Sequence, residues 1–423
     1  MKVLILGASG FIGQHLMQAL CANGHKVVAL GREVAPVLAP QARITWVAAP
    51  LQDTDLEGVV CVINCLGAFR VGCDADYDAI HYAVPLAIFQ QSVRVGIRKI
   101  IQLSALGVDT PVAKHSRFLS SKKLLDDAVQ TMAVDWTVIR PSIVFGPGER
   151  SMAFFKALAL FPWVLLVRQG QTRVQPVYIH DLIALIVCAV EQTHAQHQVL
   201  AAVGPESLSW AEMMTLHRRW LGQKAPKVIN LPTWGVTFFG WCGERLRSPF
   251  VSRQGLRITQ VDNTADAQAM TQMVGHELTR LAEYLTEYPR QRVDLWRCWQ
   301  VWLTPTLRIM LALMWVVTGW VSWFVYPHAQ SYTLLTQVGV PVDLAPFTLL
   351  FASLLDGFLG LALLLRYHLT LVIVIQLALM GGYTFIISWG LLEYWAHPFG
   401  PILKNLPIIA ATALLWVLEQ QEK

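Results

Sequence analysis

Between Thr306 and Lys423 the chain carries only four Lys or Arg and five Asp or Glu. Most of this segment falls in four apolar runs. Ile309 to Val325 and Leu369 to Leu392 contain no charged residue, and Pro346 to Leu365 and Pro401 to Leu418 contain one each. At a rise of 1.5 Å per residue, helices of roughly 17 to 24 residues reach about 26 to 36 Å, enough to cross a hydrocarbon core of about 30 Å. The tail is therefore expected to be an all-α bundle of four transmembrane helices, at about 307–326, 346–365, 369–392 and 401–418.

Basic residues gather beside the cytoplasmic ends of membrane helices. Arg290, Arg292, Arg297 and Arg308 precede the first run, Arg366 separates the second from the third, and Lys423 ends the chain; the other two loops offer only Lys404. The expected location is a bacterial-type inner (cytoplasmic) membrane, multi-pass, with both termini cytoplasmic. Trp296 and the stretch Arg297 to Trp302 fit an interfacial belt leading into the bilayer. Asp356 lies about midway along the second run with Ala352, Ser353, Gly357 and Gly360 at helical spacing, so it is expected to face the bundle interior. It reads either as a polar clamp between helices or as a partner for a proton or a quinone headgroup. Glu393 and the run His397 to Pro407 frame the entry to the fourth helix. There Lys404 either snorkels to the outer interface or pairs with Glu393 or Asp356.

The remaining residues hold nearly all of the charge, about +6 of the formal +5 net, against about −1 for the tail. Two domains are expected, 1–295 and 296–423. The basic excess is too dispersed to indicate nucleic acid. Seven cysteines without a CxxC, and histidines without ligand spacing, point to reduced packing thiols and no metal. The start is not read as a signal peptide, because a strand pattern and glycines follow Lys2 at once.

That start, MKVLILGASGFIG, is a β-branched run breaking into Gly7, Gly10 and Gly13. Glycines at this spacing allow a tight turn, a close approach of backbone to a pyrophosphate, and a helix packed on the sheet with its N-terminus at the phosphates. Phe11, Leu16 and Leu20 mark the helix face, which ends near Asn23-Gly24. A second strand, His25 to Leu30, places Arg32 about twenty residues beyond the glycines, where an arginine neutralises a 2′-phosphate. Arg32 therefore favours NADP(H) over NAD(H), with Glu33 beside it arguing the other way. Further apolar runs at Val59 to Asn64, Lys99 to Leu103 and Trp136 to Ile139 alternate with helical patterns at Tyr77 to Val95 and Phe118 to Met132. This alternation describes an α/β, Rossmann-like, doubly wound parallel sheet with a small substrate-side subdomain, whose ligands bind beyond the carboxyl ends of the strands.

The pieces VINCLG, SALGVD, WTVIRPSIVFGPG and TRVQPVYIHD, in that order, resemble an extended short-chain dehydrogenase/reductase of the epimerase/dehydratase superfamily, in the atypical branch that includes the complex I 39 kDa subunit family. The resemblance covers roughly Met1 to Pro289. It implies that Gly7, Gly10, Phe11, Ile12 and Gly13 cradle the pyrophosphate, Arg32 the 2′-phosphate, that Leu66 and Gly67 line the adenosine and ribose path, that Lys122 holds nicotinamide-ribose hydroxyls and that Pro141 passes near the carboxamide. Many relatives have an Asp-Leu pair after the third strand; here the stretch is Ala49-Pro50-Leu51, leaving only Leu51 for the adenine. Most members also use Tyr-x-x-x-Lys on one helix face, with tyrosine as acid/base. Lys122 is present, but the tyrosine position is Phe118, and a phenyl ring transfers no proton. Ser104 stands at the catalytic serine or threonine position. His115, Ser120 and Ser121 are alternatives, although the two serines point away from the Phe118 and Lys122 face. His81 reads as framing the nucleotide site or packing there, and Asp181 as a helix cap. Leu231 to Arg253, rich in Trp and Phe, reads equally as a core helix with a basic face or as a cover for the pocket or the membrane surface.

The four-run tail, with Asp356 and PFGPILKNLP, resembles the DoxX-like membrane family, which implies a link to quinone-dependent electron transfer. The functional expectation is a membrane-anchored NADP(H)-binding oxidoreductase acting on a lipophilic carbonyl or quinone-type substrate from the lipid bilayer. The alternative is a non-catalytic dinucleotide-binding module that assists a respiratory or membrane complex.

Overall fold

The computed structural model describes residues 1–31, 43–68, 74–149, 151–192, 196–245, 253–396, 400 and 402–420. Arg32 and Glu33, and His397 to Phe399 with Pro401, lie outside these residues. Two compact units form: Met1–Glu244 with Pro249–Arg292, and Val293–Lys423 with Arg245–Ser248.

In the first unit, β1 (Lys2–Leu6), β2 (Lys26–Gly31), β3 (Ile44–Ala48), β4 (Val59–Asn64), β5 (Lys99–Leu103), β6 (Asp135–Pro141) and β8 (Gln198–Ala202) form one parallel sheet in the order β8-β6-β5-β4-β1-β2-β3. Both faces are covered, so strand side chains are apolar on alternate sides. Val3 and Ile5 join one buried cluster with α1 (Phe11–Ala22) and α4 (Ile179–Glu191), whereas Leu4 and Leu6 join another. That second cluster includes residues of α2, which runs from Asp74–Asp78 through a π-helical turn at Ala79–Ala83 into Val84–Arg94, and of α3 (Arg117–Gln130). A smaller cluster, built around Phe145, Val164, Met213 and Tyr284, fills the subdomain beyond the sheet. It includes β7 (Trp163–Val167) and α5 (Trp210–Trp220), and β7 pairs with β9 (Lys227–Leu231), which leads into α6 (Thr233–Arg245).

Asp181 does not cap α4. Tyr178 occupies the N-cap, and the buried Asp181 carboxylate instead accepts the Thr279 N–H at 2.8 Å and bonds His276 at 3.1 Å, tying α4 to a distant loop.

Among the described residues, three helices are long and apolar enough to cross a membrane, Arg292–Val325, Val342–Leu364 and Leu369–Gly390, and one apolar helix is shorter, Asn405–Gln420. Within these, α7 is Arg292–Trp320, α8 is Ala345–Leu364, α9 is Leu369–Gly390 and α10 is Asn405–Gln420. The first expected span, 307–326, is thus part of a longer helix: the Trp- and Arg-rich belt is helical too and runs on through Pro305. The fourth expected span, 401–418, begins later, at Asn405. Pro407 sits in its first turn, where an N–H would have no partner inside the helix. Its 16 residues extend about 24 Å.

Candidate nucleotide site

The turn after β1 is built around three glycines. Gly7 has φ +75°, and its N–H donates to the Leu30 carbonyl at 3.2 Å, fastening the turn to the end of β2. The Gly10 N–H then donates to the Gly7 carbonyl at 3.0 Å. A Cβ on Gly13 would lie 2.3 Å from that carbonyl oxygen, and one on Gly7 3.1 Å from the backbone of Cys65 and Leu66. Larger residues would therefore push the turn away from both α1 and the β4 end. Gly10 is the N-cap of α1 and has no side chain to cap it, so the first N–H groups, from Phe11, Ile12 and Gly13, face outward for an anion. The cradle fits a pyrophosphate.

Asn64 organises the next strand end. Its amide donates to Gln102 on β5 at 2.7 Å, and its carbonyl oxygen accepts the Leu66 N–H at 3.0 Å, fixing the Leu66-Gly67 turn. Lys122, on α3 and 5% exposed, donates to the Leu66 carbonyl at 3.1 Å and the Leu103 carbonyl at 2.8 Å. A Cβ on Gly67 would stand 3.4 Å from its ammonium, so the missing side chain leaves that group accessible from the turn. Burial pulls the Lys122 pKa down to about 8, with Asp126 opposing the shift. Leu51 borders the same apolar cluster as Leu66, and its carbonyl accepts from Gln91 at 3.3 Å. Pro141 ends β6, and its carbonyl accepts the Leu106 N–H at 2.9 Å, drawing the SALG turn beside it.

Ser104 is buried, and its hydroxyl donates to Asp126 at 2.8 Å. Asp126 also accepts from Arg140 at 3.1 Å, and Arg140 in turn pairs with Asp109. Burial raises the Asp126 pKa, opposed by the Ser104 hydroxyl and the Arg140 guanidinium. This chain of contacts joins β5, α3 and β6, and it commits the Ser104 proton to a carboxylate rather than to a substrate.

The sequence did not disclose what surrounds Phe118. Ala68 N–H donates to His81 Nε2 at 3.0 Å, so Nε2 is the acceptor nitrogen. His81 Nδ1 then donates to Ser121 Oγ at 3.0 Å, and the Ser121 hydroxyl donates to the Phe118 carbonyl at 3.2 Å. The Phe118 ring meets the His81 ring edge-on, with centroids 5.4 Å apart. Burial, aided by Lys122, lowers the His81 pKa to about 3. His81 is thus neutral, and the ring at position 118 serves as its packing partner. Ser121 does point away from Lys122's face, but into this buried relay. His115 is exposed at the helix entrance, and Ser120 bonds the Arg117 carbonyl at 3.3 Å.

In the second unit Asp356 is buried, 7% exposed, at a close helix crossing: a Cβ on Gly319 would be 2.5 Å from the Ser353 carbonyl oxygen and 3.3 Å from the Asp356 Cβ. Glu393 and Lys404 are exposed, and among the described residues no ion pair joins Lys404 to Glu393 or Asp356. The buried ion pairing lies elsewhere. Glu419 on α10 accepts from Arg308 on α7 at 2.5 Å and from Arg366, after α8, at 2.6 Å.

Comparison with known proteins finds a match in each of the two parts of the chain. Residues 7–151 match the NAD(P)H-binding family and residues 312–413 the DoxX-like family. The chain is 26% identical to NADH dehydrogenase [ubiquinone] 1 alpha subcomplex subunit 9 of Arabidopsis thaliana, over 54% of this chain and 60% of that protein. It is 27% identical to divinyl chlorophyllide a 8-vinyl-reductase of Zea mays, over 54% and 61%. To ceramide reductase of Caulobacter vibrioides it is 25% identical, over 56% and 76%. The chain spans about three fifths of the length of the first two of these relatives. Among solved structures, a nucleoside-diphosphate-sugar epimerase of Staphylococcus aureus superposes with TM-score 0.55 at 12% identity, over 67% of this chain and 99% of that one, a likeness of fold.

Proposed function

Because the chain joins an NAD(P)H-binding Rossmann domain, related to the epimerase/dehydratases and the complex I 39 kDa subunit, to a C-terminal DoxX-like domain, we propose that it is a membrane-anchored NADP(H)-dependent oxidoreductase acting on a lipophilic carbonyl or quinone-type compound. The observation that carries this reading is Lys122, a buried ammonium held between the β4 and β5 ends and reachable across Gly67. Two relatives are named as reductases, one of ceramide and one of the 8-vinyl group of a divinyl chlorophyllide, which supports a reduction carried out on a lipophilic molecule. Arg32 supports the choice of NADP(H).

In this reading Gly7, Gly10 and Gly13 with the α1 N-terminus hold the pyrophosphate, Leu51, Leu66 and Gly67 flank the adenosine side, and Pro141 flanks the nicotinamide side. The coenzyme supplies or accepts a hydride. Lys122 donates to ribose hydroxyls, and Ser104 orients Lys122's surroundings through Asp126. Because Phe118 moves no proton, a quinone, whose oxygens can be protonated from water, suits the site better than a simple ketone. The contacts of Glu419 gather Arg308, midway along α7 and just before the first apolar run, with the end of α8 and the end of α10. That supports an even number of crossings, hence both termini on one side, the cytoplasmic one by its arginines.

A second reading, a non-catalytic module that stabilises a membrane complex, is favoured by Phe118 and by the engagement of both His81 nitrogens. Oxidation of NADPH, followed at 340 nm with detergent-solubilised full chain and short-chain quinones, separates the two. Turnover that Lys122→Met reduces at least about 100-fold is expected; tight NADPH binding with no turnover across quinones and carbonyls selects the second reading.

Lys122 also sets a pH limit. A group with a pKa of about 8 is an ammonium below that pH and neutral above it, so NADPH affinity should fall as pH rises through about 8 rather than through 10.5. Titrating NADPH fluorescence between about pH 6.5 and 9.5 checks this, and an affinity that stays level to the alkaline end refutes it.

A further inference from the structure

The first unit carries an apolar surface that takes no part in the nucleotide site. In the β7–β9 pair Leu165 stands opposite Ile229, and the two are 40% and 41% exposed. Trp163, two residues before Leu165 and so on the same sheet face, is 53% exposed. The chain leaves β9 at Leu231 and enters α6 at Thr233. On α6, Trp234, Phe238 and Trp241 recur at i, i+4 and i+7 and so share one face, with exposures of 71%, 53% and 49%.

Among the described residues, the buried side of α6 is Gly235, Val236, Gly240 and Gly243. A Cβ on Gly235 would lie 2.8 Å from the Leu231 side chain, and one on Gly240 2.6 to 2.8 Å from Arg253. Arg253 closes the segment by pairing with Glu244 at 2.8 Å. The pattern therefore reverses that of a helix on a water-soluble surface, which turns its large apolar residues inward. An exposed patch of this kind marks a contact, and tryptophan is the residue favoured where hydrocarbon meets headgroups.

We propose that this surface, Trp163, Leu165, Ile229 and the aromatic face of α6, rests in the headgroup interface of a lipid bilayer as a second, non-spanning attachment. Two observations choose lipid over a protein partner. Among the described residues three helices are long and apolar enough to cross a membrane, and the first of them begins at Arg292, where the first unit ends. The sequence from Thr233 to Ile258 also holds four arginines against one glutamate, an excess of positive charge that suits anionic phosphates. The attachment is independent of whether the chain turns over a substrate.

The test uses the full chain in nanodiscs of phosphatidylethanolamine and phosphatidylglycerol, with Phe238→benzoylphenylalanine as a photoreactive probe. The control is Leu124→benzoylphenylalanine, a site on α3 that is 49% exposed. Irradiation and mass spectrometry should find at least about fivefold more lipid adduct from position 238 than from position 124. Equal yields overturn the proposal, and so does an adduct of position 238 with a second protein chain. Binding of NADPH, measured on the same samples, reports whether each variant is folded.

Discussion

Replacing Gly13 with valine should abolish measurable NADPH binding. A Cβ there would sit 2.3 Å from the Gly7 carbonyl oxygen and 2.8 Å from the Ala8 Cα, and both are backbone atoms that no side-chain rotation can clear. The turn must open or α1 must lift, and either movement misdirects the helix N–H groups that receive the pyrophosphate. Overpacking alone costs about 1–3 kcal/mol, so loss of binding has to be separated from loss of fold. Gly96→Ala supplies the comparison. Gly96 has φ +87° but open space around its Cβ position, so alanine there strains the backbone by about 1–2 kcal/mol without touching the cradle. Calorimetric titration should show at least about 100-fold weaker NADPH binding for Gly13→Val and near-normal affinity for Gly96→Ala. An affinity within about threefold of the parent chain for Gly13→Val would remove the glycine turn from the coenzyme site.

The second large effect is expected from Glu419→Ala. One carboxylate, 3% exposed, uses both oxygens to hold Arg308 and Arg366 at 2.5 and 2.6 Å. Taking it away strands two guanidinium groups, one of them 4% exposed, in a helical bundle. Breaking a buried ion pair from one side costs about 3–5 kcal/mol, whereas replacing the whole set with apolar residues of similar volume is often neutral. Thermal unfolding of the full chain in detergent should therefore show Glu419→Ala melting on the order of 10 °C lower. The triple variant Arg308→Met, Arg366→Met, Glu419→Leu should recover most of that loss. A single variant as stable as the parent would mean that the triad contributes little to the bundle.

The parts of the structure that follow from local pattern were legible in the sequence. The β1 turn and the start of α1 are encoded within thirteen residues, and the parallel sheet follows from buried runs spaced by helices. The apolar runs of the tail also announced their helices, since each exceeds what a soluble core needs. The start of the first helix was not legible, because nothing in the composition stops a Trp- and Arg-rich belt from continuing the same helix back to Arg292. Contacts between distant residues were hidden for a different reason. His81 and Ser121 are 40 residues apart, and His81 lies in a π-helical turn that no local sequence pattern announced. Arg308 read only as a charge flanking the first run, and nothing local tied it to Glu419, 111 residues away. In the same way Ser104 looked catalytic from its position, and only the fold brings Asp126 within reach of its hydroxyl.

The relay from Ala68 through His81 to Ser121 ends on the Phe118 carbonyl, inside the helix that bears Lys122. His81 stays neutral down to about pH 3 and Lys122 stays charged up to about pH 8, so neither group changes its charge for an arriving dinucleotide across that interval. Moderate acidification, which re-charges ordinary histidines, leaves this one silent, and the proton-sensitive group beside Lys122 is instead Asp126, whose pKa burial raises.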